Sequence, residues 1–424
     1  MTVAARTYLR NSRRVDHALL EKLLQSHLSP SSSIVDEVRT ECGTVPRITA
    51  EFWTSRQRQS SSLHEISYRA CFKAQLPRFF IDRFSLPGDV VYDPFMGRGT
   101  TLIEAALHRR RSWGNDINPL SKILARPRLQ PPDFDEVRRR LSSIRLSAKG
   151  HAAVDLSMFY HPRTEAAIVS LRKYLLARRH AGSLDAVDRW IRMVATNRLT
   201  GHSRGFFSVY TLPPNQALSP DNQIRINRMR RQKPEYRDVS ELILRKTKSL
   251  LRNLSEQEYS NLAAVSRETR CITLPAWRTK TIDDNSVYLT VTSPPFLDIV
   301  NYAQDNWLRC WFNGIDHRQV SRRMTVVRSL EDWEDAMGRV FSELHRITVP
   351  EGVVAFEVGE IRKRNLNLDE VVVPLGHQAG FRCVAVLINQ QRFTKTSNIW
   401  GISNNKSGTN TNRIVVFQKS RKHH

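Results

Sequence analysis

Apolar positions change their spacing twice along this chain. Residues 64–126 carry a short β-branched run, Val90-Val91-Tyr92, then a glycine turn and the helical spacing of Thr100 to His108. A second strand pattern ends at Asp116, and an aromatic-rich helical pattern, Tyr68 to Phe84, precedes the first. Residues 127–265 lose the strand signal. They read as helices over Asp133 to Arg145, Glu165 to Arg179, Leu184 to Asn197 and Val239 to Leu254, with an irregular basic stretch from Gly201 to Arg237. From Cys271 the alternation returns: a strand Leu289-Thr290-Val291-Thr292, a helix Ser329 to Ile347 and a strand Gly352 to Val358. A helix Glu370 to Ala379 and late strands at Arg382 to Ile388 and Arg413 to Phe417 follow. The pattern predicts an α/β doubly wound sheet in two pieces, 64–126 and 266–424, around a mainly helical insertion, 127–265. Residues 1–63 carry one helical pattern near Val15 to Leu28 and a Ser/Pro break. They read as an arm or small helical subdomain.

Charge narrows the partners. Lys and Arg number 66 against 41 Asp and Glu, giving a net charge of +25 over 424 residues. A field of that sign favours a polyanion, nucleic acid above all, over a merely soluble basic surface. No apolar run reaches the ~18 residues of a membrane span, and the basic N-terminus lacks an apolar signal core, so neither insertion nor export is expected. The five cysteines, at 42, 71, 271, 310 and 383, are odd in number and widely spaced. That suits reduced thiols inside a cell, and no ligand spacing predicts a metal.

Two segments carry chemistry. Asp93-Pro94-Phe95-Met96-Gly97-Arg98-Gly99-Thr100-Thr101 follows the first strand. Its glycines let a ligand approach the backbone, and the helix beyond offers free N–H groups to an anion, with Thr100 as its expected N-cap. Asp116 ends the next strand, 19 positions after Gly97, where a carboxylate accepts from ribose hydroxyls. A dinucleotide fold shares this layout, but Leu102 occupies the place of its third glycine. The second segment, Thr292-Ser293-Pro294-Pro295-Phe296, ends a buried strand in a hydroxyl, two stiff residues and a ring. It suits holding a planar heterocycle by an exocyclic amine; the plainer alternative is a strand stopped by prolines.

Together these segments resemble the DNA amino-methyltransferases, which modify N4 of cytosine or N6 of adenine. The likeness covers residues 64–120 and 270–418. It implies a Rossmann-like class I methyltransferase sheet, mostly parallel with an antiparallel late strand. It also implies S-adenosylmethionine as cofactor, held by Asp93, Phe95, Gly97, Gly99, Thr100, Asp116, Thr292 and Lys73, with Phe72 beside it. Catalysis falls to Ser293, Pro294, Pro295 and Phe296: the Ser293 hydroxyl and Pro294 carbonyl accept the amine N–H groups, while Phe296 stacks on a flipped base. Softer similarities lie at Asp283 to Val287, Val349 to Val354, Thr396 to Asn398 and Gly408 to Asn410. One departure is that Arg270-Cys271-Ile272-Thr273 offers no acid for the cofactor's adenine.

The serine form of the motif points to cytosine N4. No cysteine follows a proline, which argues against the covalent C5 route. Adenine N6, an RNA base, and a silent DNA-binding protein on the same scaffold remain open alternatives. Arg225, Arg228, Arg230, Arg231 and Lys233, with Arg204 and nearby aromatics, are the expected double-stranded DNA contacts. The resemblance implies a cytoplasmic, DNA-associated prokaryotic enzyme, paired with a restriction endonuclease for the same site.

Overall fold

Nine strands share one mixed sheet in the computed structural model, which describes residues 34–40, 43–53, 60–68, 71–211, 218–295, 305–324, 329–361, 366–390 and 411–421. The strands are β1 (Ile34–Thr40), β2 (Gly43–Ala50), β3 (Val90–Asp93), β4 (Arg111–Asn115), β5 (Arg270–Ile272), β6 (Val287–Thr292), β7 (Thr348–Val358), β10 (Phe381–Gln390) and β11 (Thr411–Lys419). A separate pair comprises β8 (Glu360–Ile361) and β9 (Leu366–Asn367). Across the sheet the order is β1-β2-β10-β11-β7-β6-β3-β4-β5. From β7 to β5 the strands run parallel. β11 lies antiparallel between β7 and β10. This is the Rossmann-like arrangement expected, including its reversed late strand.

The helices of the sheet are α1 (Gln75–Phe84), α2 (Thr100–Leu107) and α3 (Pro119–Ala125). The middle segment holds α4 (Phe134–Ser143), α5 (Pro162–His180), α6 (Ala186–Arg198), α7 (Pro220–Met229), α8 (Val239–Leu251) and α9 (Glu256–Val265). Beyond β6 come α10 (Trp307–Phe312), α11 (His317–Arg323), α12 (Leu330–Ile347) and α13 (Leu368–Gln378). On α12, Trp333, Met337, Val340, Phe341 and Leu344 recur at helical spacing and are buried against Phe356, Phe381 and Phe417 of the sheet. A capping box between Ser329 and Asp332 starts that helix. In the middle segment α6 is the buried element: Trp190, Ile191, Met193 and Val194 are fully enclosed, and the Trp190 indole donates to Thr247 at 3.0 Å.

Several expectations change. Ile34–Ala50 forms a hairpin whose inner strand β2 pairs parallel with β10, where an arm or helical subdomain was expected. Only Val38, Val45, Ile48 and Ala50 supply their buried apolar face, so the periodicity is faint. The helical pattern Val15 to Leu28 lies outside the described residues. The aromatic segment from Tyr68 becomes helical only at Gln75. Pro77 explains this: it lacks an N–H and is tolerated only in a first turn. Within the stretch read as irregular, Pro220–Met229 is a helix, started by Ser219 as N-cap and Pro220 at its first position. Helix α9, unread in the sequence, begins with the capping box Ser255/Glu258.

Candidate active site

The strand order reverses between β3 and β6, and ligands of doubly wound sheets bind at such a point, beyond the carboxyl ends of the strands. The two chemical segments meet there. Asp93, at the end of β3, is 1% exposed and accepts from the Thr292 hydroxyl at 2.6 Å and the Phe95 N–H at 3.0 Å, both at Oδ1. The Thr101 hydroxyl donates to the Val291 carbonyl at 3.0 Å and also contacts Asp93. Burial drives the Asp93 pKa up to about 7, with Asp116 adding to the rise, although the Thr292, Phe95 and Thr101 contacts oppose it. Thus residues 199 positions apart in sequence are joined by a single hydrogen bond.

The loop between β3 and α2 is a backbone cradle. Gly97 and Gly99 both adopt left-handed φ values, +48° and +83°. A Cβ on Gly99 would stand 2.6 Å from the Ala125 Cβ, so only glycine fits. The Gly97 N–H donates to Asp116 Oδ2 at 2.9 Å, and Asn118 N–H donates to Oδ1 at 2.8 Å. Each carboxylate oxygen keeps a second acceptor position. Burial raises the Asp116 pKa, opposed by these donors. Thr100 does not cap α2. Gly99 is the N-cap, and the Thr100 hydroxyl instead accepts from Arg98 Nε at 3.2 Å, because the left-handed glycine takes the chain into the helix one residue earlier.

Residues 62–68 lie over this loop. Arg98 Nη1 donates to the carbonyls of His64 (3.2 Å) and Ile66 (2.9 Å), and the Tyr68 ring passes 3.5 Å from where a Gly97 Cβ would be. The fully buried Arg128 ties the same layer to the carbonyls of Leu63, Leu124 and Arg98. Lys73 is exposed just before α1, and partial burial lowers its pKa. Phe72 is half-buried against the aliphatic core.

On the other side of Asp93, Thr292 is fully buried, Ser293 half-buried, Pro294 buried and Pro295 exposed. The fully buried Trp333 donates its indole N–H to the Pro295 carbonyl at 3.1 Å, fixing the turn from beneath. The Ser293 side chain bonds to Glu357, near the end of β7, and Glu357 also accepts from Asn412 Nδ2 on β11. Glu357 is 7% exposed; burial raises its pKa to about 7 despite both contacts. Glu357, Asn412 and Trp333 were missed in the sequence. The one available signal was an acid near the close of the apolar run Val353 to Val358. Phe296, Thr396 to Asn398 and Gly408 to Asn410 lie outside the described residues.

Residues 17–124 match the DNA methylase family. That stretch includes the glycine loop and Asp116. Three curated relatives are similar over short stretches. The type II methyltransferase M.MjaII of Methanocaldococcus jannaschii is 34% identical over 88 residues, 20% of this chain and 17% of that protein. M.MvaI of Kocuria varians, also a type II methyltransferase, is 34% identical over 71 residues, 17% and 14%. The orphan methyltransferase M.BamHII of Bacillus amyloliquefaciens is 39% identical over 74 residues, 17% and 28%. The chain therefore spans less than a third of the length of each of these relatives. Among solved structures, the rRNA methyltransferase aviRa of Streptomyces viridochromogenes aligns at 12% identity and a TM-score of 0.33, covering 85% of this chain and 90% of that one. That overlap is too slight to bear on function.

The expected DNA contacts lie on the middle segment. Arg225, Arg228, Arg230, Arg231 and Lys233 are exposed on and after α7, and Arg204 is exposed nearby. Arg230 lies over the Tyr210 ring at 3.9 Å. The opposite face of α7 is anchored: Gln223 Nε2 donates to the Tyr210 carbonyl at 3.0 Å and Asn227 Nδ2 to the Met158 carbonyl at 2.7 Å. Just before α7, the Leu218 carbonyl accepts from Trp307 at 3.1 Å, linking the basic helix to α10. Among the described residues no group of three or more His, Cys, Asp or Glu could hold a metal, and no helix is long and apolar enough to cross a membrane.

Proposed function

We propose that this chain is an S-adenosylmethionine-dependent DNA methyltransferase acting on the exocyclic N4 amine of cytosine, as the modification partner of a restriction endonuclease. The observation that carries this reading is the Thr292–Asp93 hydrogen bond, which sets the glycine loop and Ser293 on one rim. The loop suits the cofactor: its backbone is bared by Gly97 and Gly99, and Asp116 keeps spare acceptor positions for hydroxyls. Bound there, S-adenosylmethionine supplies an electrophilic methyl group.

The chain's own residues then orient the amine. A cytosine amine is a weak nucleophile because its lone pair is delocalised into the ring. The Ser293 hydroxyl directs its hydrogen toward Glu357, which leaves its oxygen lone pairs as acceptors for an N–H of the amine. The Pro294 carbonyl takes the second N–H, held in place by the two prolines and by Trp333 on Pro295. With both N–H bonds committed, the nitrogen lone pair points across the rim, so positioning provides most of the rate. The surplus proton has a route through Ser293 to Glu357, whose pKa of about 7 suits a transient acceptor. Extrusion of the base costs a few kcal/mol. Phosphate contacts from the α7 arginines offset that cost.

Labelled S-adenosylmethionine incubated with duplex DNA, followed by mass spectrometry of the nucleosides, tests this. N4-methylcytosine is expected. N6-methyladenine would replace the cytosine assignment, and label in RNA alone would overturn the DNA reading.

A further inference from the structure

Away from the catalytic rim, a cleft of about 260 Å³ opens between α3, the end of α5 and α6. Five cations line it, Lys122, Arg126, Arg179, Arg189 and Arg192, and no carboxylate does. Arg192 is 9% exposed, and its Nε donates to Asn313 Oδ1 at 2.7 Å. Its Nη2 and the Nη1 of Arg179 share the Asn313 main-chain carbonyl, at 3.3 and 2.8 Å. Two guanidinium groups thus converge on one neutral amide. The carboxylates at the start of α6, Asp185 and Asp188, are engaged by Arg140 and Arg178 instead. Burial, with the neighbouring Arg179 charge, brings the Arg192 pKa down to about 10. Arg192, buried beside the charge of Arg179, loses hydration and meets repulsion, a cost that an incoming anion reduces.

Geometry also says which anion. Planar guanidinium groups match the oxygens of phosphate in pairs. Pro119 lines the cleft and begins α3 three residues after Asp116, so one end of the cleft adjoins the turn that carries Asp116. A duplex presented to that rim would carry its backbone past this point. We infer that the cleft is a phosphate-binding site, filled by a backbone phosphate of the DNA that the rim receives. The site goes beyond the catalytic reading; its DNA source rests on it.

The test uses the full chain with Arg126→Gln/Arg189→Gln, which leaves the Asn313 clamp intact, beside the control Arg138→Gln/Arg139→Gln on α4. Duplex affinity is measured from low to high potassium chloride, and unfolding temperature is followed against inorganic phosphate at constant ionic strength. The cleft variant should bind duplex about tenfold more weakly, with the log–log salt slope reduced by about 0.9 for each phosphate no longer neutralised. The control should change much less. Phosphate should raise the unfolding temperature of the wild type and not of the cleft variant. Equal losses in variant and control, or no stabilisation of the wild type by phosphate, would overturn the site. Phosphate stabilisation with unchanged duplex affinity would overturn the DNA source. A wild type that binds duplex and phosphate as described yet transfers no methyl group would sink the catalytic reading alone.

Discussion

Replacing Asp93 with asparagine should make the protein more stable above neutral pH. In the folded chain the Asp93 carboxyl is moved from its ordinary 3.8 to about 7, chiefly by burial. At about 1.36 kcal/mol per unit, that corresponds to about 4 kcal/mol against folding once the group is ionised in both states. The sign follows from proton uptake. Between roughly pH 4 and pH 7 the folded state binds the proton more tightly than the unfolded chain, so stability falls as pH rises and stays low above 7. Asparagine carries no such penalty, and the local bonding accepts it. Thr292 and the Phe95 N–H both donate to Oδ1, which an amide oxygen can replace. The Thr101 hydroxyl gives its hydrogen to Val291, so it can accept from the new amide nitrogen. Urea unfolding of both proteins at pH 5, 6, 7 and 8 measures the difference. Glu357 also titrates near 7, but it is common to both proteins and cancels. The Asp93→Asn variant should gain about 1–4 kcal/mol at pH 8 and roughly two-fifths of that gain at pH 5, where the unfolded carboxyl is already ionised. No gain at pH 8, or a gain independent of pH, would refute the argument.

Three further outcomes follow from the site. Ser293→Ala should lower the methyl-transfer rate about a hundredfold while calorimetry finds cofactor affinity near normal, because the proposed role of the hydroxyl is toward the amine and it bonds to Glu357 rather than to the glycine loop. Asp116→Ala should chiefly weaken cofactor binding, by about tenfold or more, since it removes two acceptor oxygens and unpins the Gly97 N–H. Trp333→Phe keeps the buried ring but loses the bond to the Pro295 carbonyl. Single-turnover rates should fall about tenfold, with only about 1 kcal/mol lost in urea unfolding.

The glycine loop and the serine–proline segment were legible because each is local: a strand, a turn and a helix start within a dozen residues. Asp93, Gly97, Gly99 and Asp116 could be placed from spacing alone. That the two segments would share one site was expected only through the family resemblance, and the Thr292–Asp93 bond that joins them crosses the long middle segment unannounced. Glu357 and Asn412 were invisible for a different reason. They meet Ser293 through pairing among β6, β7 and the reversed β11, and no linear pattern encodes that register. The arginines read as DNA contacts are exposed on and after α7, a helix that was missed. Gln223 and Asn227, polar residues, make its inward face, so apolar periodicity is weak there.

Pairing β2 with β10 has a consequence for how the chain is made. The Phe52 N–H donates to the Asn389 side chain at 2.9 Å, across 337 positions. The outer hairpin can close on itself, but the second edge of β2 must wait unpaired until β10 has left the ribosome. Such distant closure slows folding and leaves apolar strand edges open to neighbouring chains meanwhile.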